Sequence, residues 1–237
     1  MYTYLLLNIG TLLFPLALSF DKKVAFFRSW FALFPAILMM AVFFLIWDEA
    51  FTQMGIWGFN PEYLTGIYLF SLPLGEWLFF FTVPYACLFI YACVGAYFPQ
   101  DPLKSVAPYV FKGLAVTLFI LGILFIDRWY TGVTFILLSL WIVYHVWIQK
   151  VEWLGQFLLA YLIVQIPFGL VNGVLTSLPV VWYNDLENLG FRLVSIPVED
   201  TMYNMLMLMM TVSYFEWLLK RRKSAFKSKL TSSQSYV

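Results

Sequence analysis

Ser195-Ile196-Pro197-Val198-Glu199-Asp200 opens the last apolar segment of this chain, and the chain has already written the same stretch once. Gly66-Ile67-Tyr68-Leu69-Phe70-Ser71-Leu72-Pro73-Leu74-Gly75-Glu76 aligns without a gap on Gly190-Phe191-Arg192-Leu193-Val194-Ser195-Ile196-Pro197-Val198-Glu199-Asp200, an offset of 124 residues that also carries Asn60 onto Asn184. Across 59–76 an Asn, a Gly, a Leu, a Ser and a Pro recur in place, and Phe59/Tyr183, Leu72/Ile196 and Leu74/Val198 are similar pairs. Both copies end in carboxylates where an apolar helix begins. This is the pattern of an internal duplication whose halves each bring acid groups to the edge of a bilayer.

Working outward, composition decides the solvent. Hydrophobic residues are 62% of the 237 and charged residues 11%, too few charges to coat a water-soluble domain of this length. Several apolar runs reach the roughly 20 residues that a bilayer core of about 30 Å demands. Segments are expected at 2–20, 27–46, 74–97, 107–126, 131–149, 154–175 (with Pro167 as a kink) and 197–219. The first is read as a helix and not a signal peptide, because its lysines follow the apolar run instead of preceding it. Cys87 and Cys93 both lie inside a span, where cysteine acts as a small hydrophobe. A polar tail, with a disordered end, follows from Lys220.

Seven spans sort the basic residues. The 21–28 loop, the 98–112 region, Lys150 and the tail then share one side, leaving only Arg128 and Arg192 on the other. The positive-inside rule puts the C-terminus in the cytoplasm and the N-terminus outside. The expected fold is therefore an all-α integral membrane protein with seven transmembrane helices and two parallel three-helix repeats. The first repeat takes 1–106, a connecting fourth helix 107–130, the second repeat 131–220, and the basic tail 221–237. An axis along the membrane normal would bring the two acid-bearing ends face to face.

Pro73 and Pro197 mark helix starts, so Glu76, Glu199 and Asp200 fall within or just past a first turn. The plain explanation is acids stabilised by the helix dipole. Duplication and depth favour a functional one, since intramembrane acids are costly and default to functional candidates. A neutral carboxylic acid facing an apolar space is a proton donor for a weakly basic substrate. Trp57, Phe59, Trp77, Phe79, Phe80 and Phe81 crowd the first copy, and Trp182, Tyr183 and Tyr203 the second. Most read as interfacial belt and packing; those nearest the acids offer ring faces to a carbocation. Tyr203 and Asn204 stand four residues beyond Glu199 and Asp200, on their helix faces. Trp47-Asp48 reads as an interfacial anchor with a solvated acid, Asn60 and Asn184 as a turn common to both halves, Glu216 as a partner for the basic tail, and His145 as a packed residue without a second histidine for a metal.

Absences prune alternatives. The chain has no Gly-rich dinucleotide fingerprint or P-loop, no paired Asp-rich motif for magnesium and diphosphate, and no lysine in 198–219 for a retinal Schiff base. Three classes remain from the residues: an acid/base enzyme acting on a membrane lipid, a seven-helix transporter or lipid-binding protein, and a related enzyme in which water traps the cation. Transporters place polar residues deep within several spans, whereas these acids cluster at helix starts.

At these residues the chain resembles the membrane-type lycopene cyclases, here with two homologous halves fused. Trp47-Asp48, Gly55-Ile56-Trp57-Gly58-Phe59-Asn60-Pro61 and Leu72-Pro73-Leu74-Gly75-Glu76-Trp77 match the family's first half; Asn184-Asp185-Leu186-Glu187-Asn188-Leu189-Gly190 and Ile196-Pro197-Val198-Glu199-Asp200 match its second. The family's first motif usually carries two consecutive acids after Pro-Leu, and here the first of them is Gly75. The resemblance implies a cofactor-independent and metal-free isomerisation of the acyclic ψ-ends of lycopene to β-rings, giving γ-carotene and then β-carotene. It makes Glu76 and Glu199 the acid and base with Asp200 tuning one of them, and Asp48, Trp57, Asn60, Trp77, Phe80, Asn184, Tyr203 and Asn204 the substrate contacts. Partners would be lycopene and other acyclic carotenes, membrane lipid and other carotenoid-pathway enzymes, with no nucleic acid, in a bacterial cytoplasmic membrane.

Overall fold

A computed structural model describes residues 2–234, with side chains as far as Ala225. Among the described residues there are seven α-helices: α1 (Thr3–Leu18), α2 (Trp30–Gln53), α3 (Leu74–Tyr97), α4 (Ala107–Leu124), α5 (Trp129–Val143), α6 (Leu154–Ser177) and α7 (Val198–Gln234). Five apolar helical stretches are long enough to cross a bilayer: Phe26–Gln53, Leu74–Tyr97, Ala107–Leu124, Trp129–Gln149 and Leu154–Ser177. Their outer faces carry exposed apolar side chains such as Leu38, Ile46, Ile166 and Leu170, as contact with lipid requires. Helix α1 is apolar but shorter, at 16 residues. Helix α7 opens with Glu199 and Asp200 and carries Asn204 in its second turn, which dilutes its apolar character.

Several boundaries differ from the expectation for a physical reason. Helix α2 continues past residue 46 to Gln53, because Asp48 is buried in protein instead of ending the helix in water. Pro73 and Pro197 each stand one residue before their helix and close a short strand pair. Helix α5 ends in a π-helical turn, Tyr144–Gln149, before Lys150 at φ +50°. Helix α7 runs on through the basic residues to Gln234; the tail beyond it, with its expected disorder, lies outside the described residues.

Within this mostly helical fold, the two half-polar stretches hold short strands of two to three residues that the expectation did not include. Each folds a hairpin, β2 (Tyr68–Leu69) on β3 (Leu72–Pro73) and β5 (Arg192–Leu193) on β6 (Ile196–Pro197), with Phe70 and Val194 at matching positive φ at the two tips. The stretches also meet each other: β1 (Trp57–Phe59) pairs antiparallel with β4 (Val181–Tyr183). Element bounds recur at the 124-residue interval throughout, α2 as α6, β1 as β4, β2 and β3 as β5 and β6, and the start of α3 as the start of α7. Helices interlock across the halves as well: α1 packs on α3 and α5 on α7, while α2 lies against α7 and α6 against α3. Helix α4, which has no counterpart, covers α5.

The β1–β4 register fixes the symmetry. Gly58 faces Trp182, Trp57 faces Tyr183 and Phe59 faces Val181. Gly58 and Trp182 occupy the same position of the two halves, so a pseudo-two-fold axis passes between them. A Cβ on Gly58 would lie 2.4 Å from the Trp182 ring. Gly58→Ala is therefore expected to splay this strand pair and destabilise the protein by about 1–3 kcal/mol, the usual cost of overpacking. A lowered unfolding midpoint of the detergent-solubilised variant checks it, and an unchanged midpoint would contradict it.

Candidate active site

Beside the strand pair, residues from α1, α2, α3, α5, α6 and α7 enclose a cavity of about 60 Å³. That is space for a few water molecules. Its polar lining is Tyr4, Asp48, Glu76, Tyr130, Asn172, Tyr183 and Asp200. Five of them are grouped around the other two, carboxyls that occupy equivalent positions, Glu76 in the first turn of α3 and Asp200 in the first turn of α7.

Glu76 accepts a hydrogen bond from the hydroxyl of Tyr4 on α1 and touches the carboxyl of Asp48 on α2. Asp48 is only 2% exposed, not solvated as its place near a helix end suggested, and its Oδ1 accepts the indole N–H of Trp57 at 2.6 Å. Asp200 accepts three hydrogen bonds: from the Tyr130 hydroxyl at 2.6 Å, the Asn172 amide at 2.6 Å and the Tyr183 hydroxyl at 2.9 Å. The 124-residue interval relates Asp48 to Asn172. Tyr4 and Tyr130 play the same part on α1 and α5, 126 residues apart.

Glu199 is placed elsewhere. It is fully buried but absent from the cavity lining, and its Oε1 accepts from the Thr131 hydroxyl at 2.6 Å and the Leu189 backbone N–H at 2.7 Å. Those bonds clamp the 184–190 loop to the first turn of α5, where Tyr130 stands. Glu187 helps from the other side, capping α5 through the Trp129 N–H. An amide oxygen can accept these bonds nearly as well as a carboxylate. Glu199→Gln is accordingly expected to keep activity within about tenfold of the parent, while Glu199→Ala, which strands a buried backbone N–H, costs about 1–3 kcal/mol of stability. Activity and unfolding midpoints of the two variants, measured side by side, test this.

At Gly75, the position equivalent to Glu199, there is no room for a side chain. A Cβ there would meet the Tyr4 ring at 2.6 Å, and Asn8 donates to the Gly75 carbonyl at 2.9 Å. The hairpin next to it is tied down instead by Glu49, which accepts the Ser71 N–H at 3.0 Å.

Of the residues expected to contact substrate, Asp48, Trp57 and Tyr203 line the cavity. The others do not. Asn60 and Asn184 each accept the backbone N–H two residues on, at 3.1 Å, forming identical turns. Trp77 donates to the Leu69 carbonyl and stacks on Phe70. Phe80 is packed against Phe44 and Phe79, and Asn204 is buried with its amide unpaired among the described residues. His145 bridges the Trp141 carbonyl and Ser213, and Glu216 accepts from Tyr91. The polar cavity residues that sequence reasoning did not single out are Tyr4, Tyr130 and Asn172; the repeat interval, applied to Asp48, is the one signal that could have found Asn172.

Rings complete the enclosure. Trp57 packs edge-on against Tyr130 at 5.0 Å, Tyr130 stacks on Tyr183 at 5.9 Å, and Tyr203 lies 5.0 Å from Phe44 and from Trp47. Acids set among aromatic faces can protonate an unsaturated hydrocarbon, shelter the resulting cation and take a proton back. Among the described residues no group of three or more His, Cys, Asp or Glu side chains is arranged to hold a metal ion.

A family model described as lycopene cyclase matches residues 1–94 and 127–218, most of the chain, in two regions that leave out α4. No curated protein and no solved structure matches.

Proposed function

Because this chain belongs to the lycopene cyclase family, with two homologous cyclase domains fused in one chain, we propose that it closes the ψ-ends of lycopene to β-rings by acid/base catalysis alone. The observation that carries this reading is the pair Glu76 and Asp200, equivalent residues brought to one cavity walled by aromatic rings. One acid adds a proton to C2 of the end group and leaves a tertiary cation at C1. The C5=C6 double bond attacks C1, the ring closes and the charge moves to C5. A carboxylate removes the C6 proton and the double bond forms in the ring. Electrons and atoms balance without redox chemistry, so the reaction is an isomerisation. Cation-stabilising faces come from Trp57, Tyr130, Tyr183 and Tyr203, worth about 0.5–2 kcal/mol each where desolvated.

In this reading the protein spans the membrane seven times with its N-terminus outside. The repeats are 1–106 and 131–220, and lycopene reaches the cavity from the lipid. Glu199, expected to be acid or base, becomes a positioning residue, and Asp48 joins the chemistry. Expression in a lycopene-accumulating bacterial host tests the function. The expected result is cyclised carotene on chromatography; unchanged lycopene, with the protein verified in the membrane, overturns the proposal.

A further inference from the structure

The two walls of the cavity are built from equivalent positions but are not chemically alike. In the first half Asp48 meets Glu76 carboxyl to carboxyl. In the second half Asn172 meets Asp200 amide to carboxyl. Two buried carboxyls in contact cannot both be ionised at acceptable cost, so they share a proton. The free position for that proton is on Asp48: its Oδ1 is occupied by the Trp57 N–H, and its Oδ2 receives no donor. Glu76, already accepting from Tyr4, is the acceptor within the pair. Asp200 is the opposite case. Every polar contact to it is a donor, two hydroxyls and an amide, which leaves it as a carboxylate with no proton to give.

We propose that the Asp48–Glu76 pair is the proton donor and Asp200 the base, an assignment that rests on the cyclase reading above. The pair's single shared proton goes to C2. It leaves two carboxylates on one side of the cavity, facing the cation, and fixed charges at that place are what a charge-separated intermediate needs. Asp200 then takes the C6 proton and becomes neutral. Once product has left, that proton crosses back to the pair through water in the emptied cavity, and the site is reset.

Incubating enzyme-bearing membranes with lycopene in D₂O separates the two roles by mass spectrometry. The unsubstituted protein should give one deuteron per ring formed. Asp200→Asn should lower ring formation by about a hundredfold, in the range for loss of a general base, yet return lycopene carrying deuterium, because the C1 cation forms and reverts. Asp48→Asn should lower ring formation as much and return lycopene without deuterium. A merely structural role for either residue would not produce this split. The double variant Asp48→Asn with Asn172→Asp exchanges the walls while keeping the same groups, and should recover to within about tenfold of the parent. Near-parental cyclisation by Asp48→Asn, unlabelled lycopene from Asp200→Asn, or a folded double variant as inactive as the single one each overturns the assignment. Absence of cyclised product from the unsubstituted protein would instead overturn the function itself.

Discussion

Glu76→Gln and Asp200→Asn each leave lycopene almost wholly uncyclised, with product falling by about a hundredfold to ten-thousandfold, the span for loss of a general acid or base. Both variants keep the size and most of the hydrogen-bonding capacity of the original side chain, so they fold. Tyr4 still finds an oxygen at position 76; at position 200 the amide oxygen keeps Tyr183 and Asn172, and the new NH2 group donates to the Tyr130 hydroxyl, which bonds the other oxygen of Asp200. What disappears is the ability to hold or accept a proton. Pigment chromatography, normalised to membrane-inserted protein, reads the effect. Retention of more than a tenth of parental cyclisation by either variant would remove that carboxyl from the chemistry. Set beside Glu199→Gln, the comparison discriminates among three acids that the sequence presents as near equivalents.

Gly75→Glu, which would give the first half the doublet of acids found in the second, lowers cyclisation by at least about tenfold instead of raising it. The added Cβ alone would come within 2.6 Å of two atoms of the Tyr4 ring. These are the inner atoms of the ring, and its hydroxyl is committed to Glu76, so the side chain cannot swing aside without giving up that bond. Overpacking of this kind costs about 1–3 kcal/mol, and here the displaced group is part of the site. Cyclisation equal to or above the parent's would show that Tyr4 is dispensable and that a second acid has a use there.

The helices and their order were legible because lipid imposes long apolar runs and because the duplicated motif gives a ruler. That Glu76 and Asp200 meet face to face was legible from that ruler as well. Glu199 lies off the cavity for a geometric reason: neighbours on a helix point about 100° apart at 3.6 residues per turn, so only one of two adjacent acids can face a narrow cavity. Asp48 misled because an acid five residues from a helix end looks solvated until the 57–59 strand is known to fold back over it. Tyr4 and Tyr130 carried no local signal at all. Each lies about 70 residues from the acid it serves, and an aromatic residue in an apolar helix is indistinguishable from packing until the helices are assembled. Asn60 and Asn184 recur where both halves make the same turn.

The pseudo-two-fold axis between Gly58 and Trp182 bears on ancestry. An assembly of two identical half-chains around that axis would carry the same residue at both equivalent positions. It would have two acid–acid contacts or two acid–amide contacts, and never one of each. Joining the halves in a single chain frees them to drift apart, and here they have, to Asp48 against Asn172 and Phe59 against Tyr183. A separate, self-associating half of this protein could reproduce the cavity's shape but not its polarity, so the unlike walls require two halves that differ, which this one chain supplies.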